Sequence, residues 1–274
     1  MRWVAFVCAC ACVLGLAGAT TAQTQSVFLA VGDYGVGGSA ELSLGKRMQS
    51  FGTRKQAKML VLLGDNDYTE SPAQFRTNWR RSFGWARRNG LRVAGVIGNH
   101  DVRVDRGRYE FGLLGMPGPY YTRRLGDAEL FLLDSNTVDD RQTAWLEGEL
   151  ADSTATWKIA VFHHPPYTCG GHAGEAAVQH RWVPLFKRYD VQLVISGHDH
   201  NYQRFLTRSG LTYLVHGGGG ASLYPLHGCP TPYPSRVRAR AEHGFLYVSV
   251  GADRLNGYAV DMRGRVVDRF TLEP

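Results

Sequence analysis

Five short segments concentrate the residue types that bind metals and move protons. They are Gly32-Asp33-Tyr34-Gly35, Gly64-Asp65-Asn66-Asp67-Tyr68, Gly98-Asn99-His100-Asp101, His163-His164-Pro165-Pro166-Tyr167 and Gly197-His198-Asp199-His200. Together they offer carboxylates, an amide, phenols and imidazoles, and no thiolate. Such a pool suits iron, manganese, zinc or similar ions at a water-carrying catalytic centre, and it excludes a thiolate-rich zinc site or an iron–sulfur cluster. A lone Gly-Asp is a turn signal more often than a ligand. Five such loops in one chain, four of them opened by glycine that lets the backbone turn sharply, read instead as one site. On an extended segment residues i and i+2 point the same way, so His198 and His200 can serve neighbouring ions.

Each segment follows an apolar, β-branched run: residues 26–32, 59–64, 91–98, 157–162 and 191–197. Runs apolar on both faces read as central strands, and the loops at the carboxyl ends of such strands are where α/β folds build sites. Helical patterns alternate with them. Ser71 caps and Pro72 opens a helix over 73–88 that Asn89-Gly90 closes, and residues 139–150 place Trp145, Leu146 and Leu150 on one face. Residues 120–124 and 129–134 around Gly126-Asp127, and 202–207 and 211–216 around Ser209-Gly210, predict hairpins; residues 245–271 predict three antiparallel strands. With no repeat and no linker, one domain over 23–274 is expected. Its class is α/β with antiparallel additions, two sheets packed face to face with helices outside.

Composition narrows the partners. The 274 residues are 44% apolar and 11% aromatic, enough for a sizeable core, which excludes disorder. Lys and Arg number 31 against 24 acids, and most of them are Arg, whose planar, permanent charge favours anions such as phosphates. Arg103, Arg106 and Arg108 directly follow Asn99-His100-Asp101 and can raise anion concentration at a site mouth. No aromatic residues interleave the arginines, which argues against a nucleic-acid partner. At the N-terminus, Arg2, an apolar run over 3–18 and small residues over 17–22 read as an export signal of residues 1–22, too short for the roughly 20 residues that span a bilayer. A secreted or periplasmic protein with no stable membrane anchor is expected. Removal of the signal takes away Cys8, Cys10 and Cys12 and lowers the formal charge from +7 to +6, since Arg2 is its one charged side chain. Cys169 and Cys229 remain, most simply as one disulfide tying two glycine-rich loops.

In this order the five segments resemble the motifs of the metallophosphoesterase superfamily and, within it, the small, tartrate-resistant type of purple acid phosphatase. The motifs are GD-x-G, GD-x-x-Y, GNH-D/E, V-x-x-H and GH-x-H, from residue 32 to 200. Most superfamily members carry Asp-x-His in the first motif. Here Gly35 takes the place of that His, and Tyr68 stands where purple acid phosphatases supply a tyrosinate, an exchange that implies a ferric ion. The resemblance implies a four-layer α/β/β/α sandwich of two mixed β-sheets flanked by helices. It implies a binuclear centre in which Asp33, Asp65, Tyr68 and His200 hold Fe(III), while Asp65, Asn99, His163 and His198 hold a divalent Fe, Zn or Mn, with Asp65 bridging. The fourth motif departs from the pattern, because Val161 sits three residues before His164 rather than His163. The x-Pro-x-aromatic sequence after His163 favours that residue, and His164 stays the alternative. Asp67, where relatives often have an aromatic residue, is a second departure expected to alter the pocket's charge. By the same resemblance His100 points at the substrate phosphate, with Asp101 orienting it through a hydrogen bond. His172, nine residues after His163, contacts phosphate and protonates the leaving group. His216 is read as structural, and His180, His227 and His243 as surface or packing residues.

The activity so implied is acid phosphatase chemistry: in-line attack of metal-activated hydroxide on a phosphate monoester, small or protein-borne. The alternative is a metallophosphodiesterase acting on nucleotide or lipid diesters, against which the Gly35/Tyr68 exchange counts. A non-catalytic phosphate-binding or scaffold protein would be expected to lack a ligand, and all seven are present. Neither the extra N-terminal β-domain of the larger plant type nor, between Asp134 and Trp145, the long protease-sensitive loop of the mammalian relatives is expected.

Overall fold

The computed structural model describes Met1 and residues 25–274; the expected export signal lies outside the described residues. Two mixed sheets organise the chain. The first runs in the order β13 (Val266–Leu272), β12 (Leu255–Asp261), β11 (Gly244–Val250), β1 (Ser26–Val31), β2 (Met59–Leu63) and β3 (Arg92–Val96). Within it β1, β2 and β3 are parallel, and β11, β12 and β13 extend the sheet from β1 with each pair antiparallel. The second runs β10 (Ser235–Arg240), β8 (Tyr202–Leu206), β9 (Thr212–His216), β7 (Leu193–Ser196), β6 (Trp157–Val161), β5 (Ala128–Leu132) and β4 (Tyr121–Leu125). There β5, β6, β7 and β9 are parallel, while β4, β8 and β10 pair antiparallel.

Strand periodicity sorts the second sheet into two faces. Ile159, Val161, Leu193 and Ile195 join the core shared with the first sheet. Ala160, Phe162, Val194 and Phe205 turn the other way, into a second core with Leu146, Leu150, Val178, Trp182 and Phe186. Those partners come from α5 (Asp140–Asp152), α6 (Ala176–Arg181) and α7 (Val183–Arg188), with Trp182 at the junction of the last two. On the first sheet, α1 (Ser39–Arg54), α2 (Pro72–Ser82) and α3 (Trp85–Arg88) cover the outer face, and the short α4 (Phe111–Leu114) packs beside β3. The result is the four-layer α/β/β/α sandwich, with two mixed sheets at its centre.

Both hairpins and the three-stranded tail form, and every expected central strand is present within two residues of its expected ends. Several elements differ from expectation, among them α4, α6, α7 and β10, none of which the sequence patterns announce. The helix expected over 73–88 starts as read, with the Ser71 hydroxyl accepting from Gln74 N at 3.3 Å, but it breaks at Phe83–Gly84 into α2 and α3. In α5 the buried stripe is Gln142, Leu146 and Leu150, while Trp145 is half-buried against Tyr120. Helix α1 has no counterpart among the expected elements. Its stripe of Leu44, Met48 and Phe51 is diluted by Gly45, where a side chain would run into the Ser82 carbonyl of α2. Glycine there is the condition for the two helices to cross closely, and it blurs the amphipathic signal.

Candidate active site

All five donor-bearing loops leave the carboxyl ends of parallel strands, β1, β2 and β3 from one sheet and β6 and β7 from the other, and they meet at the shared end of the sandwich. The sharp turns are made by the chemically important residues themselves. Asp33 (φ +58°), Asp65 (φ +49°) and His198 (φ +70°) all occupy the left-handed region. That conformation costs an L-residue about 1–2 kcal/mol and is retained where a surrounding structure imposes it, typically at functional sites. Among the four glycines that open these loops, Gly64 alone has positive φ. The expectation that the glycines make the turns is therefore corrected: their main contribution is room. A Cβ on Gly98 would lie 2.8 Å from His163 Nε2 and would also overlap the Asp65 carboxylate.

One half of the site is acid and phenol. The Tyr68 hydroxyl lies 3.4 Å from Asp33 Oδ1 and 3.1 Å from His200 Nε2, and His200 Nε2 is 3.3 Å from the same Asp33 oxygen. The other half is imidazole and amide. His163 Nε2 stands 3.4 Å from Asp65 Oδ1 and 3.2 Å from Asn99 Oδ1. His163 and His200 each turn Nδ1 to a backbone carbonyl, Leu63 O at 2.9 Å and Ser222 O at 2.7 Å. A Nδ1–H given to a carbonyl leaves the Nε2 lone pair facing inward, as in histidines that ligate metals. His198 holds Asp33 through its backbone N–H, at 2.8 Å to Oδ2, and its ring packs with those of His163, His164 and His172. Asp33, Asp65 and His163 present ligand atoms within 4.8 Å of one another, and so do His163, His164 and His198.

These donors are mostly acceptors facing acceptors, an arrangement that calls for positive charge. Burial pulls the His163 imidazolium down, yet the Asp65 and Asp33 carboxylates outweigh it and push its pKa up to about 9. Burial raises Asp65 too, and His163 more than reverses it, holding that carboxyl well below its ordinary range. Asp33 stays raised by its complete burial. Burial, Asp33 and Asp65 hold the Tyr68 phenol far above its usual value. His198 is pushed far down by burial and by His163, His164 and His172. A bound cation inverts this logic, favouring phenolate and neutral imidazole.

The structure places each expected site residue as follows. Asp33, Asp65, Tyr68, Asn99, His163, His198 and His200 are brought together. His163 faces Asp65 and Asn99, whereas His164 is turned to Ser135, whose Oγ lies 2.9 Å from its Nδ1 and accepts from its backbone N–H at 2.9 Å. Burial and His163 push His164 down to about 3. His100 is a quarter exposed above the centre, its ring 4.2 Å from that of Tyr68 and its Nε2 4.0 Å from Asp65 Oδ2. His172 sits at the rim with its ring 4.0 Å from that of His198.

One expectation is corrected. Asp101 does not orient His100. Its oxygens accept from the backbone N–H groups of Asn66 (2.8 Å), Asp67 (2.9 Å) and Gly98 (2.7 Å) and from Asn66 Nδ2 (3.0 Å), while His100 Nδ1 has no hydrogen-bond partner among the described residues. With four donors aimed at it, this carboxylate has no capacity left for a ring. Asp67 is buried and accepts from Thr69 (backbone and hydroxyl) and from the Tyr109 hydroxyl at 2.8 Å.

Residues that sequence reasoning passed over complete the site. Asp199, fully buried between the two histidines of its motif, accepts from Thr168 Oγ1 and from the Gly171 N–H at 2.9 Å, fastening the loop that carries His172. Tyr224 stacks on His200 with ring centroids 4.1 Å apart at 8°. The glycine run 217–220 before it was the one sequence signal that this loop lies close to the centre. Cys169 and Cys229 form the expected disulfide, closing the same rim.

Two sheets with oxygen and nitrogen donors at their shared end define a metal-dependent phosphoesterase class. The chain belongs to the calcineurin-like phosphoesterase family, whose sequence profile matches residues 16–202. Within it the chain is similar to purple acid phosphatase 7 of Arabidopsis thaliana, 24% identical with 89% of this chain and 85% of that protein covered. It is also 24% identical to tartrate-resistant acid phosphatase type 5 of Oryctolagus cuniculus, covering 85% of this chain and 82% of that one. Among solved structures, purple acid phosphatase PPD1 from yellow lupin seeds superposes with a TM-score of 0.77 at 17% identity, over 92% of this chain and 54% of the lupin chain. GAP50, described as the anchor in the inner membrane complex of Plasmodium, superposes with a TM-score of 0.77 at 18% identity, over 91% of this chain and 89% of that one. The structural likenesses establish the fold.

Proposed function

We propose that the protein is an exported binuclear-metal acid phosphatase that hydrolyses phosphate monoesters, using Fe(III) with a divalent Fe, Zn or Mn. The observation that carries this reading is the Tyr68 hydroxyl set between Asp33 and His200, within 3.4 Å and 3.1 Å. A phenol among hard oxygen donors suits a trivalent ion, and the acceptor-rich surroundings, with two imidazoles pre-oriented by backbone carbonyls, fit cations. Asp33, Asp65, Tyr68 and His200 would hold one ion; Asp65, Asn99, His163 and His198 would hold the other. When bound, two such ions lower the pKa of water and offset charge on the phosphoryl oxygens.

The chain's own groups then have distinct tasks. His100, partly exposed over Asp65, donates to the phosphoryl oxygens as their charge grows. His172, at the rim beside His198, supplies the proton that the departing alkoxide takes as the ester P–O bond breaks and water's oxygen joins phosphorus. Asp199 keeps His172 in reach by holding its loop. Export is supported by the apolar N-terminal run and by the Cys169–Cys229 disulfide, a bond that persists in oxidising compartments.

The test is to purify the protein aerobically, quantify iron and divalent metal, and record its visible spectrum with monoester and diester turnover. A tyrosinate-to-iron charge-transfer band that vanishes in Tyr68→Phe, together with monoester preference, is the expected result. An active, iron-free enzyme that prefers diesters would overturn the proposal.

A further inference from the structure

One strand along from the metal-ligand loops, at the same end of the sandwich, lies a cavity of about 550 Å³. It sits between Ile97, just beyond β3, and residues 134–137, just beyond β5. Since β3 is parallel to β2 and β5 is parallel to β6, it opens where the donor-bearing loops emerge. Two contacts join its wall to the site. Asn136 Nδ2 donates to Ile97 O at 3.2 Å, two residues before Asn99, and Ser135 holds His164. Cavity and centre thus share the loop after β3 and are linked through Ser135 and Asn136.

The lining has two characters. Val102, Phe111 and Tyr120 are among its apolar lining residues, and Arg106, Arg108 and Arg141 are its basic ones. Neighbouring arginines are committed: Arg103 pairs with Glu70 at 3.1 Å and Arg108 with Asp105 at 2.9 Å. Arg106 and Arg141 make no side-chain hydrogen bond or ion pair among the described residues. The two acids in the lining are themselves occupied, Asp134 accepting from Asn136 and Asp139 capping α5 through Gln142 N. Arg106 is also held at φ +53°, after Asp105 at φ +45°. Consecutive left-handed residues without glycine are costly and persist only where their surroundings impose them.

We infer that this cavity is a leaving-group subsite, selecting phosphate monoesters whose alcohol is an apolar or aromatic body carrying a second anionic group. The body packs on Phe111 and Tyr120, and the anion, a carboxylate or a second phosphate, pairs with Arg106 and Arg141. This inference rests on the monoesterase reading and names the substrate class for it. The pairs are solvent-exposed, so each contributes modestly and both weaken with salt.

The experiment compares kcat/KM for phenyl phosphate, 4-carboxyphenyl phosphate and 1,4-phenylene bisphosphate in the wild type and in Arg106→Gln/Arg141→Gln. The ratio of charged to uncharged ester should fall about five- to tenfold in the double variant, mostly through KM, and the wild-type preference should fade in high salt. Dividing by each enzyme's rate on phenyl phosphate cancels differences in leaving-group chemistry. The two charged esters distinguish carboxylate from phosphate. An unchanged ratio for both would overturn the subsite while leaving the monoesterase reading intact. If no ester is turned over, the monoesterase reading fails instead, and calorimetric binding of 4-carboxyphenylphosphonate against phenylphosphonate still decides the subsite. Equal affinities in wild type and double variant would then overturn it.

Discussion

Two pairs of buried carboxylates lie side by side in this protein and do opposite things. Asp33 and Asp65 are 0% and 2% exposed, and Asp101 and Glu110 are both 0% exposed. Around the first pair, beyond one backbone N–H each (His198 to Asp33 at 2.8 Å and His100 to Asp65 at 2.9 Å), stand Tyr68, His163, His200 and the Asn99 oxygen, groups that offer lone pairs. Around the second stand N–H donors: three backbone amides and Asn66 Nδ2 on Asp101, and Asn66 Nδ2 again on Glu110 at 3.0 Å. Burial pushes the pKa of both Asp101 and Glu110 well up, helped by the Asp65 charge beside Asp101 and by the Asp101 charge beside Glu110, so the pair is stable when it holds a proton. The lesson is that a buried acid's function is set by what faces it. Donors make it part of the scaffold, whereas acceptors make it part of a cation site.

The scaffold pair also positions the functional one, because Asp101 ties Gly98 and Asn66, which flank Asn99 and Asp65, into one unit. The comparison breaks most visibly at the bridging position. Asp65→Ala should leave metal content near zero and lower monoester turnover by about 10³-fold or more, the loss of several kcal/mol of charge stabilisation. Metal-free stability should also fall, since His163 loses the carboxylate that holds its charge at 3.4 Å. Full metal content with normal turnover in this variant would end the assignment of Asp65 as the shared ligand.

Next in size is Asp101→Asn. An amide must aim at least one N–H at groups that are themselves donors, and each unsatisfied buried donor costs about 1–3 kcal/mol. Denaturant unfolding should show a loss of about 3 kcal/mol in metal-free protein, with weaker metal retention following from it. Wild-type stability accompanied by a shifted pH–rate profile would return Asp101 to the role of orienting His100.

The smallest effect concerns pH. Glu110 carries a raised folded-state pKa, caused first by burial and then by Asp101. Between the ordinary carboxyl value of about 4.3 and that raised value the folded state binds more protons than the unfolded state, so stability declines as pH rises through the window. Glu110→Gln should flatten the decline while changing stability at pH 4 by about 1 kcal/mol or less. An unaltered slope in a pH series of unfolding curves would place the proton elsewhere.

Much of the site was legible in the chain because strand ends and ligand types are local. Asp33, Asp65, Asn99, His163 and His198 each follow an apolar run that cannot be other than buried, and the hairpins announce themselves through Gly126-Asp127 and Ser209-Gly210. Less legible were the elements whose signal depends on a neighbour. Helix α1 is written with a glycine that serves its crossing with α2, and the break at Phe83–Gly84 interrupts a pattern that reads as continuous. The arginine-bearing cavity draws on residues 97 to 142, and no spacing in that stretch announces a wall shared with the site.

By itself the sequence determined the order of the strands' donor residues, their chemical types and the pair of cysteines left to bond, because these are properties of composition and short spacing. Only the tertiary structure decided which acids face lone pairs and which face amides. Asp65 and Asp101 follow equally apolar strands in equally glycine-opened loops. What separates them is the company of residues 35 to 100 positions away, Asn66 for Asp101 once β2 and β3 have paired, and His163 for Asp65 once the two sheets have closed.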